Sequence, residues 1–386
     1  MAIKRTSSNS LVNATKMSTG FSSAAIPNAP TIGTATLSGF GATVTYTAAT
    51  LGATATSFTA TSNPGSVTGT GSSPITVTGL SPGTAYTFTV KASNANGDSA
   101  NSSASNQITT DVVATLSGGT RTSDSTYYYR TFTSNSNLVV ANAPLTADIM
   151  VIAGAGGAGG GHGGGGGAGG FRVLTGQTLA TGTYTLTIGG GGTGGFSDGV
   201  GSSGSATSFA KSGFTTISAS GGGVASGRGG GAASGGSGGG CNFGGAQTSG
   251  NTGGYTPVEG YGCGTSTFGA GAGGGGAAGV SGNTVNYNGS AGGSATSAYS
   301  SWASVTSTGV GGAYAGGGGG AGWSSSGGSH ASGGGGGAGD GSHNSINHGV
   351  ANTGSGGGGR METPANTCGN GGSGLIIVRY EKTQGE

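Results

Sequence analysis

The chain has 386 residues, of which 12 are Lys or Arg and 10 are Asp or Glu, so 6% of its residues are charged and the formal net charge is +2. Typical proteins carry about 25% charged residues. This sparse charge argues against a basic nucleic-acid patch, because Lys and Arg cluster no further than the Lys4-Arg5 pair, and against a chain held open by repulsion. No apolar run approaches the ~20 residues of a membrane span, so we expect neither nucleic-acid binding nor membrane insertion.

Residues 1–27 are rich in Ser, Thr and Asn and contain isolated apolar residues such as Leu11, Met17 and Phe21. No apolar stretch of the kind found in secretory signals follows the first charges. The sequence therefore predicts a protein made in a cytoplasm. Two interpretations of the segment stay open: a disordered tail, or an anchor that becomes ordered when it docks to a partner.

Residues 28–112 alternate apolar and polar residues in short runs, which predicts half-buried strands. Turn sequences such as Asn63-Pro-Gly65 and Ser81-Pro-Gly83 separate the runs. Short strands at this spacing predict a β-sandwich. The four clearest runs are Ala42–Tyr46, Ser57–Ala60, Ile75–Thr78 and Tyr86–Ala92.

The run Leu80-Ser-Pro-Gly-Thr-Ala-Tyr-Thr-Phe-Thr-Val90 resembles the tyrosine corner of a fibronectin type III domain. The resemblance implies structural roles for Leu80, Pro82 and Tyr86, with the Tyr86 hydroxyl bonding back to the preceding connection. Tyr46 stands where the family often has Trp. The Asn94–Asp98 connection contains no Arg-Gly-Asp sequence, so we expect a spacer domain that does not bind integrins.

Residues 113–386 are predicted to form a second β-sandwich with a large glycine-rich insertion, residues 154–374, which holds 84 of the 98 glycines. Two nearly continuous apolar runs, Asp148–Ala153 and Leu375–Tyr380, frame the insertion. Such runs are typical of strands covered on both faces, so we expect the two to pair in one sheet. The predicted frame of the sandwich is residues 113–153, 171–188 and 375–380.

Glycine loses more backbone entropy on ordering than any other residue, so an ordered glycine tract needs dense backbone hydrogen bonding. The sequence predicts a bundle of polyglycine II helices, which have three residues per turn and no internal hydrogen bonds. Gly163, Gly164 and Gly165 are expected to be structural, because side chains there would push neighbouring helices apart. The whole chain is therefore predicted to be all-β, with this bundle as an insertion.

No residue pattern predicts catalysis, so we expect no enzyme activity, no metal and no cofactor. The Gly-x-Gly-x-x-Gly matches are accidental features of the glycine runs and stand outside any βαβ unit. The four histidines match no metal-binding spacing. The three cysteines, Cys241, Cys263 and Cys368, have no regular spacing; free thiols and a single Cys241–Cys263 bridge both stay open.

Aromatic residues stand between or beside the glycine runs, and they have two interpretations. They wedge the bundle, or they contact a receptor, since Tyr and Trp among Ser, Gly and Asn are also typical of antibody paratopes. Trp302 and Trp323 are the better candidates for stacking on sugar rings, and Phe243 and Phe268 occupy similar positions. The receptor-binding candidates are Trp302, Trp323, Tyr255, Tyr261, Tyr287, Tyr299 and Tyr314.

The glycine-rich block, framed by Ile-Met-Val-Ile-Ala-Gly and Leu-Ile-Ile-Val-Arg-Tyr, resembles the glycine-rich domain of phage structural proteins. It is also similar to the fibre-tip adhesins of T-even-like phages and to the glycine-rich ectodomain of the anaplastic lymphoma kinase receptor family. With no signal peptide and no membrane span predicted, the receptor is the less favoured of these resemblances.

The phage resemblance implies a tail fibre or fibre-tip adhesin on the virion surface, attached to other virion proteins through residues 1–27. Loops of the glycine-rich domain would bind a host glycan or outer-membrane protein, and the chain would be a homo-oligomer, with a trimer as one form. A non-adhesive capsid, neck or shaft protein is the alternative. A glycan-degrading enzyme is disfavoured, because four acidic residues in the whole insertion offer no evident catalytic pair.

Overall fold

A computed structural model describes residues 25–228, 230–361 and 367–385 of the chain. It divides into two compact units, Met1–Val113 and Ala114–Glu386. The predicted attachment segment lies outside the described residues except for residues 25–27, so its role stays a prediction. The fold is almost all β, with 33% strand and 3% helix, which confirms the all-β part of the predicted fold class. In the described part of the chain, no helix is both long and apolar enough to cross a bilayer.

The first unit is a sandwich of two antiparallel sheets. Its core is built from alternate residues of the strands, such as Val44, Val77, Phe88 and Val90. All four predicted runs lie in strands. One sheet contains β1 (Thr31–Ser38), β2 (Gly41–Thr47) and β5 (Ile75–Thr78); the other contains β3 (Ser57–Asn63), β4 (Thr68–Thr70), β6 (Ala85–Asn94) and β7 (Gly97–Asp98), and β8 (Ile108–Thr109) pairs with β6.

The tyrosine corner is present in this unit. The Tyr86 hydroxyl accepts a hydrogen bond from the backbone N–H of Ser81 at 2.9 Å, five residues upstream. Tyr86 and Leu80 are both buried in the sandwich core. Pro82 lies in the exposed turn, where its carbonyl oxygen accepts the Thr84 hydroxyl at 3.0 Å. The corner therefore fixes the connection that leads into β6.

The second unit contains a β-sandwich of two five-stranded sheets. In spatial order, the first sheet contains β10 (Thr120–Ser123), β11 (Tyr127–Phe132), β18 (Leu375–Glu381), β13 (Leu145–Ile152) and β14 (Phe171–Leu179). The second contains β17 (Ile217–Ala219), β16 (Thr207–Ala210), β15 (Gly182–Thr187), β12 (Ser136–Ala141) and β9 (Thr115–Ser117).

The predicted pairing of the two framing runs is confirmed. Strand β13 pairs antiparallel with β18, with Asp148 opposite Arg379 and Ile152 opposite Leu375. Both faces of β13 are covered, as its continuous apolar sequence requires. Ile149 and Val151 pack into the sandwich core. Their neighbours, Met150 and Ile152, pack on the opposite face against residues of the glycine-rich region.

Two details of the predicted organisation are corrected. The predicted frame omitted β16 and β17, which residues 207–219 contribute to the second sheet. Their apolar residues, such as Phe209 and Ile217, complete the sandwich core. The insertion also contains a short helix, α1 (Ser300–Thr306), and a 3-10 turn at Ser324–Ser326. The sandwich therefore takes more of the chain, and the glycine-rich part less, than predicted.

Several glycine runs, such as residues 154–170, are largely buried, but they do not pair as β-strands. Instead, their backbone N–H groups donate in rotation to three different neighbouring segments. In the first run, Gly154, Gly157 and Gly160 donate to Ser205, Ser202 and Gly199; Ala155 and Ala158 donate to Gly372 and Gly369; Gly156 and Gly159 donate to Gly167 and Gly164. These N···O distances are 2.8–3.2 Å. The hydrogen bonding therefore repeats every three residues.

Backbones in this region approach more closely than a side chain allows. A Cβ atom built on Gly163, Gly164 or Gly165 would lie closer than 3.0 Å to a backbone carbonyl oxygen of a neighbouring segment. At Gly165 the obstructing atom is the carbonyl oxygen of Gly318. Gly190, in contrast, has open space where its Cβ would be. Glycine is therefore required by packing where these hydrogen-bonded segments meet, and not at an exposed position such as Gly190. We call the hydrogen-bonded segments the glycine bundle.

Candidate binding site at the far end of the glycine bundle

The path of the first glycine run defines two ends of the bundle. Residues 154–160 leave the end of β13, the chain reverses at Gly161-His162, and residues 163–170 return to the start of β14. Both reversal residues have positive φ, 62° and 63°. The bundle thus has a sheet end, next to β13 and β14, and a far end, where this reversal lies.

Five ring-bearing side chains from different loops meet at the far end. Phe243 contacts both His162, at 5.5 Å between ring centroids, and Phe268, at 5.4 Å. Trp323 contacts His162 at 4.9 Å and Tyr287 at 5.4 Å. Edge-to-face pairs at these distances are favourable arrangements. We call these five residues the far-end ring cluster.

The far-end ring cluster borders two open clefts. A cleft of about 510 Å³ is lined by Phe268 and Tyr287, together with the amides of Asn286 and Asn288. A second cleft, of about 300 Å³, is lined by His162 and Trp323 beside charged and hydroxyl groups, namely Asp198, Arg228, Ser197 and Ser325. Phe268 is 69% exposed and Tyr287 is 39% exposed. Apolar ring surface and hydrogen-bonding groups are therefore presented side by side.

The backbone holds these loops firmly in place. The Trp323 N–H donates to the Tyr287 carbonyl oxygen at 2.8 Å, which joins two of the loops directly. A Cβ on Gly269 would lie 2.6 Å from the Trp323 ring and 2.8 Å from the Tyr287 ring. Because Gly269 has a φ of 88° and no side chain, the rings can pack against its backbone. Small residues in the loops thus make room for the large ones.

One histidine next to the cluster titrates abnormally. The His330 Nδ1 atom accepts the backbone N–H of Gly322 at 3.2 Å, directly before Trp323. Burial lowers the pKa of His330 below its ordinary value of 6.5, and the nearby His343 lowers it further. A neutral imidazole suits this position, since only an unprotonated Nδ1 can accept a hydrogen bond.

Two of the predicted receptor contacts are corrected by their burial. Trp302 is 2% exposed and Tyr314 is fully buried. Both pack on the sheet end against Met150 and Ile152. The Arg379 guanidinium lies 4.6 Å above the Trp302 ring, a favourable cation–π distance. These two residues join the glycine-rich region to the sandwich and do not present a surface to a receptor.

The other predicted candidates are spread over the domain. Tyr299 packs against Phe171 at 5.7 Å at the sheet end. Tyr255 also lies near the sheet, where Arg172 covers its ring at 3.6 Å. Tyr261 is exposed, away from the ring contacts just described. Of the seven candidates, the structure brings Tyr287 and Trp323 together at the far end.

Sequence reasoning left three members of the cluster out of the candidate set. Phe243 and Phe268 stand beside glycine runs, as the predicted Tyr and Trp residues do. His162 interrupts an otherwise almost unbroken glycine run, and such an interruption is a signal for the reversal. Among the described residues, no three His, Cys, Asp or Glu side chains gather to hold a metal. The site offers stacking surfaces and hydrogen bonds.

Comparison with known families agrees with both predicted domain types. The family described as a glycine-rich domain matches residues 131–381, which is more than half of the chain, and the chain belongs to this family. A fibronectin type III domain matches residues 28–108. The comparison with curated proteins gives no match. Neither domain type by itself specifies a biological role.

Proposed function

We propose that the chain is a virion structural protein of a tailed phage, a tail fibre or fibre-tip adhesin that binds the host cell surface through the far-end ring cluster. The observation that carries the proposal is this cluster of partly exposed rings, contributed by several loops and held at the end of a hydrogen-bonded bundle. The protein binds without catalysis and needs neither cofactor nor metal. Its location would be the virion surface.

The glycine runs are polyglycine II helices in this proposal. A repeat of three residues in hydrogen-bond direction is what a helix with three residues per turn produces. The close backbone approach at Gly163, Gly164 and Gly165 also supports such a packing. The proposed function needs this rigidity, because loops that are already ordered lose less entropy on binding.

The chemistry of the far end suits a cell-surface ligand. Aromatic residues supply large contact areas at a low entropy cost, and Tyr and Trp are enriched among residues that dominate binding energy. The neighbouring amides of Asn286 and Asn288 can bond to hydroxyl or peptide groups. The ligand is a host surface glycan or an outer-membrane protein. A homo-oligomer, for example a trimer attached to the particle through residues 1–27, would raise the avidity.

A binding assay with the full-length chain tests the adhesin. The purified protein is applied to arrays of bacterial surface glycans and to outer-membrane vesicles from a panel of bacteria. We expect the Trp323→Ala and Phe268→Ala variants to lose about thirty-fold in single-site affinity, since a central contact contributes about 2 kcal/mol. Val280→Ala is the control, because Val280 is also exposed but follows Ala277, which packs against the cluster at the sheet end.

Two results would contradict the adhesin. One is binding that is unchanged in both ring variants while their melting temperatures stay normal. The other is no binding to any surface, together with electron microscopy that places the chain on the capsid, neck or fibre shaft. The second result would favour the non-adhesive structural role.

Amide hydrogen exchange tests the polyglycine II bundle separately. Glycine amides that donate to neighbouring segments, such as those of Gly156, Gly166 and Gly223, are expected to exchange at least about a hundred-fold more slowly than in an unfolded peptide, because exchange requires the segments to separate. Exchange at the unfolded rate throughout residues 221–240 would rule the bundle out.

A further inference from the structure

Two of the three cysteines face each other inside the glycine bundle. The Sγ atoms of Cys241 and Cys263 lie 3.7 Å apart, and the residues are 1% and 3% exposed. Ala272 completes this small apolar cluster. Cys368 is also buried, but it lies beside Gly160, in a different part of the bundle. None of the three cysteines is in a disulfide.

The hydrogen bonds around the pair make the two sulfur atoms unequal. The backbone N–H of Thr248 donates to the Cys263 Sγ at 3.3 Å. The Cys241 Sγ, in contrast, donates to the carbonyl oxygen of Gly264 at 3.5 Å. A hydrogen bond to a sulfur atom favours its thiolate, so Cys263 is placed as the thiolate and Cys241 as the thiol.

The titration of the pair agrees with this assignment. The Sγ–Sγ contact with Cys241 is the largest cause that lowers the pKa of Cys263; burial opposes it, and the hydrogen bonds with Thr248 lower the pKa further. The pKa of Cys241 is raised by the same contact with Cys263 and by burial. Burial also raises the pKa of Cys368, to about 11. Of the three cysteines, Cys263 is therefore the one that forms a thiolate most readily.

The pair stands at the base of two loops of the far-end ring cluster. Cys241 comes two residues before Phe243, and Cys263 comes five residues before Phe268. The two rings are in contact, at 5.4 Å between centroids. A covalent link between the cysteines would hold the two loops at a fixed separation directly below these rings.

We propose that Cys241 and Cys263 are an oxidation site that forms a disulfide and staples the Phe243 and Phe268 loops together. The oxidant is a small hydroperoxide, such as hydrogen peroxide. The Cys263 thiolate attacks one peroxide oxygen, the O–O bond breaks, and protonation of the departing hydroxide gives water and a sulfenic acid. The Cys241 sulfur then attacks that sulfenic sulfur, the S–S bond forms, and a second water leaves. Two thiols and one hydrogen peroxide thus become one disulfide and two waters.

Peptide mapping of the full-length protein tests the disulfide without any substitution. The reduced protein is treated with hydrogen peroxide, its remaining thiols are alkylated in denaturant, and the digest is analysed without reductant. We expect one cross-linked peptide pair containing Cys241 and Cys263, lighter by two hydrogen atoms than the separate peptides, while Cys368 is alkylated. We expect the oxidised protein to melt about 5–10 °C higher, because the bridge closes a loop of some twenty residues.

Two variants test the assigned roles. In Cys241→Ala, the Cys263 sulfenic acid has no resolving thiol, and we expect dimedone to trap it. In Cys263→Ala, we expect little dimedone labelling at Cys241, and Cys368→Ser is the control that leaves the bridge intact. Full alkylation of all three cysteines after peroxide treatment of the folded protein would overturn the proposal, as would a bridge that includes Cys368.

Discussion

The sandwich and the glycine bundle of the second unit are ordered by opposite means. The sandwich buries large side chains, such as Phe209 and Tyr184, between its two sheets. The bundle buries mainly small side chains, such as Ala155 and Ala272, and instead joins its backbones, as the bonds from Gly154 to Ser205 and from Gly157 to Ser202 illustrate. Ordering a residue's backbone costs about 1–2 kcal/mol, and a hydrogen bond returns a net 0.5–1.5 kcal/mol. The bundle therefore requires nearly complete hydrogen bonding, whereas the sandwich relies on apolar area.

Strand β13 packs against both the sandwich core and the glycine-rich region. In β13, Ile149 points into the sandwich core and Met150 points into the cluster that also contains Trp302 and Tyr314. The contrast predicts that the sandwich is sensitive to the removal of side-chain atoms and the bundle to their addition.

The largest loss of stability is expected for a substitution in the sandwich core. Phe209 is fully buried and stacks on Tyr184 at 4.9 Å between centroids. Phe209→Ala should lower the unfolding free energy by about 3–5 kcal/mol, because it leaves a cavity. Thermal unfolding followed by calorimetry measures the loss. Phe268→Ala is the matched control, since it removes the same atoms from an exposed site, and an equal loss in both variants would contradict the assigned core.

A slightly smaller effect is expected from one added methyl group in the bundle. Gly165→Ala places a Cβ against the backbone carbonyl oxygen of Gly318, and a backbone cannot move aside by changing rotamer. We expect a loss of about 3 kcal/mol, at the upper end for overpacking. Gly190→Ala should be neutral or slightly stabilising, because its Cβ meets open space. Equal melting temperatures for these variants would refute close backbone packing.

The joint between the two regions contains a buried carboxylate. Glu259 is 0% exposed, and its Oε2 and Oε1 atoms accept the N–H groups of Ser220 at 2.8 Å and Gly253 at 3.2 Å. Glu259→Gln puts an amide NH2 where an acceptor is needed, so we expect a loss of about 2 kcal/mol. Glu381→Gln, at an exposed position, should change stability little. If denaturant unfolding gives the same free energy for Glu259→Gln as for the original protein, the Glu259 carboxylate does not stabilise this part of the fold.

The smallest effect is expected from the protonation of His330 near the far end of the bundle. The pKa of His330 is lowered by burial and by His343, so the neutral form stabilises the fold above the unfolded pKa of about 6.5. This contribution is lost as the pH falls through that value towards the lower folded pKa. We expect a modest change in Trp323 fluorescence below pH 6, which should be absent in His330→Asn. An NMR titration that places the His330 pKa at or above 6.5 would contradict the burial argument.

The sequence predicts those parts of the fold that a short, continuous sequence motif specifies. The continuous apolar runs at Asp148–Ala153 and Leu375–Tyr380 indicated a doubly covered pair of strands, and the Tyr86 motif indicated its corner. Strands β16 and β17 were missed because Ser and Gly surround their few apolar residues. Trp302 was misplaced because a seven-residue helix gave no periodic pattern, so its ring looked like part of an exposed loop.

The far-end ring cluster could be predicted only in part. Trp323 and Tyr287 were recognised as rings beside glycine runs, but nothing in their spacing indicates which loops become neighbours. Which loops become neighbours depends on which glycine runs pack side by side. Because glycine has no side chain, the sequence of a run does not specify its neighbours. His162 and Phe268 therefore emerge as members only from the three-dimensional path.

The three-residue repeat also restricts how such a domain can change its length. Inserting one residue into the run from Gly163 to Gly170 turns every later N–H by a third of a turn, so each faces the wrong neighbour. Inserting three residues restores every direction and only lengthens the segment. Viable natural variants should therefore differ in run length by multiples of three, whereas exposed loops between the runs are not restricted in this way. The loops can thus diversify while the hydrogen-bonded runs beneath them change length only in steps of three residues.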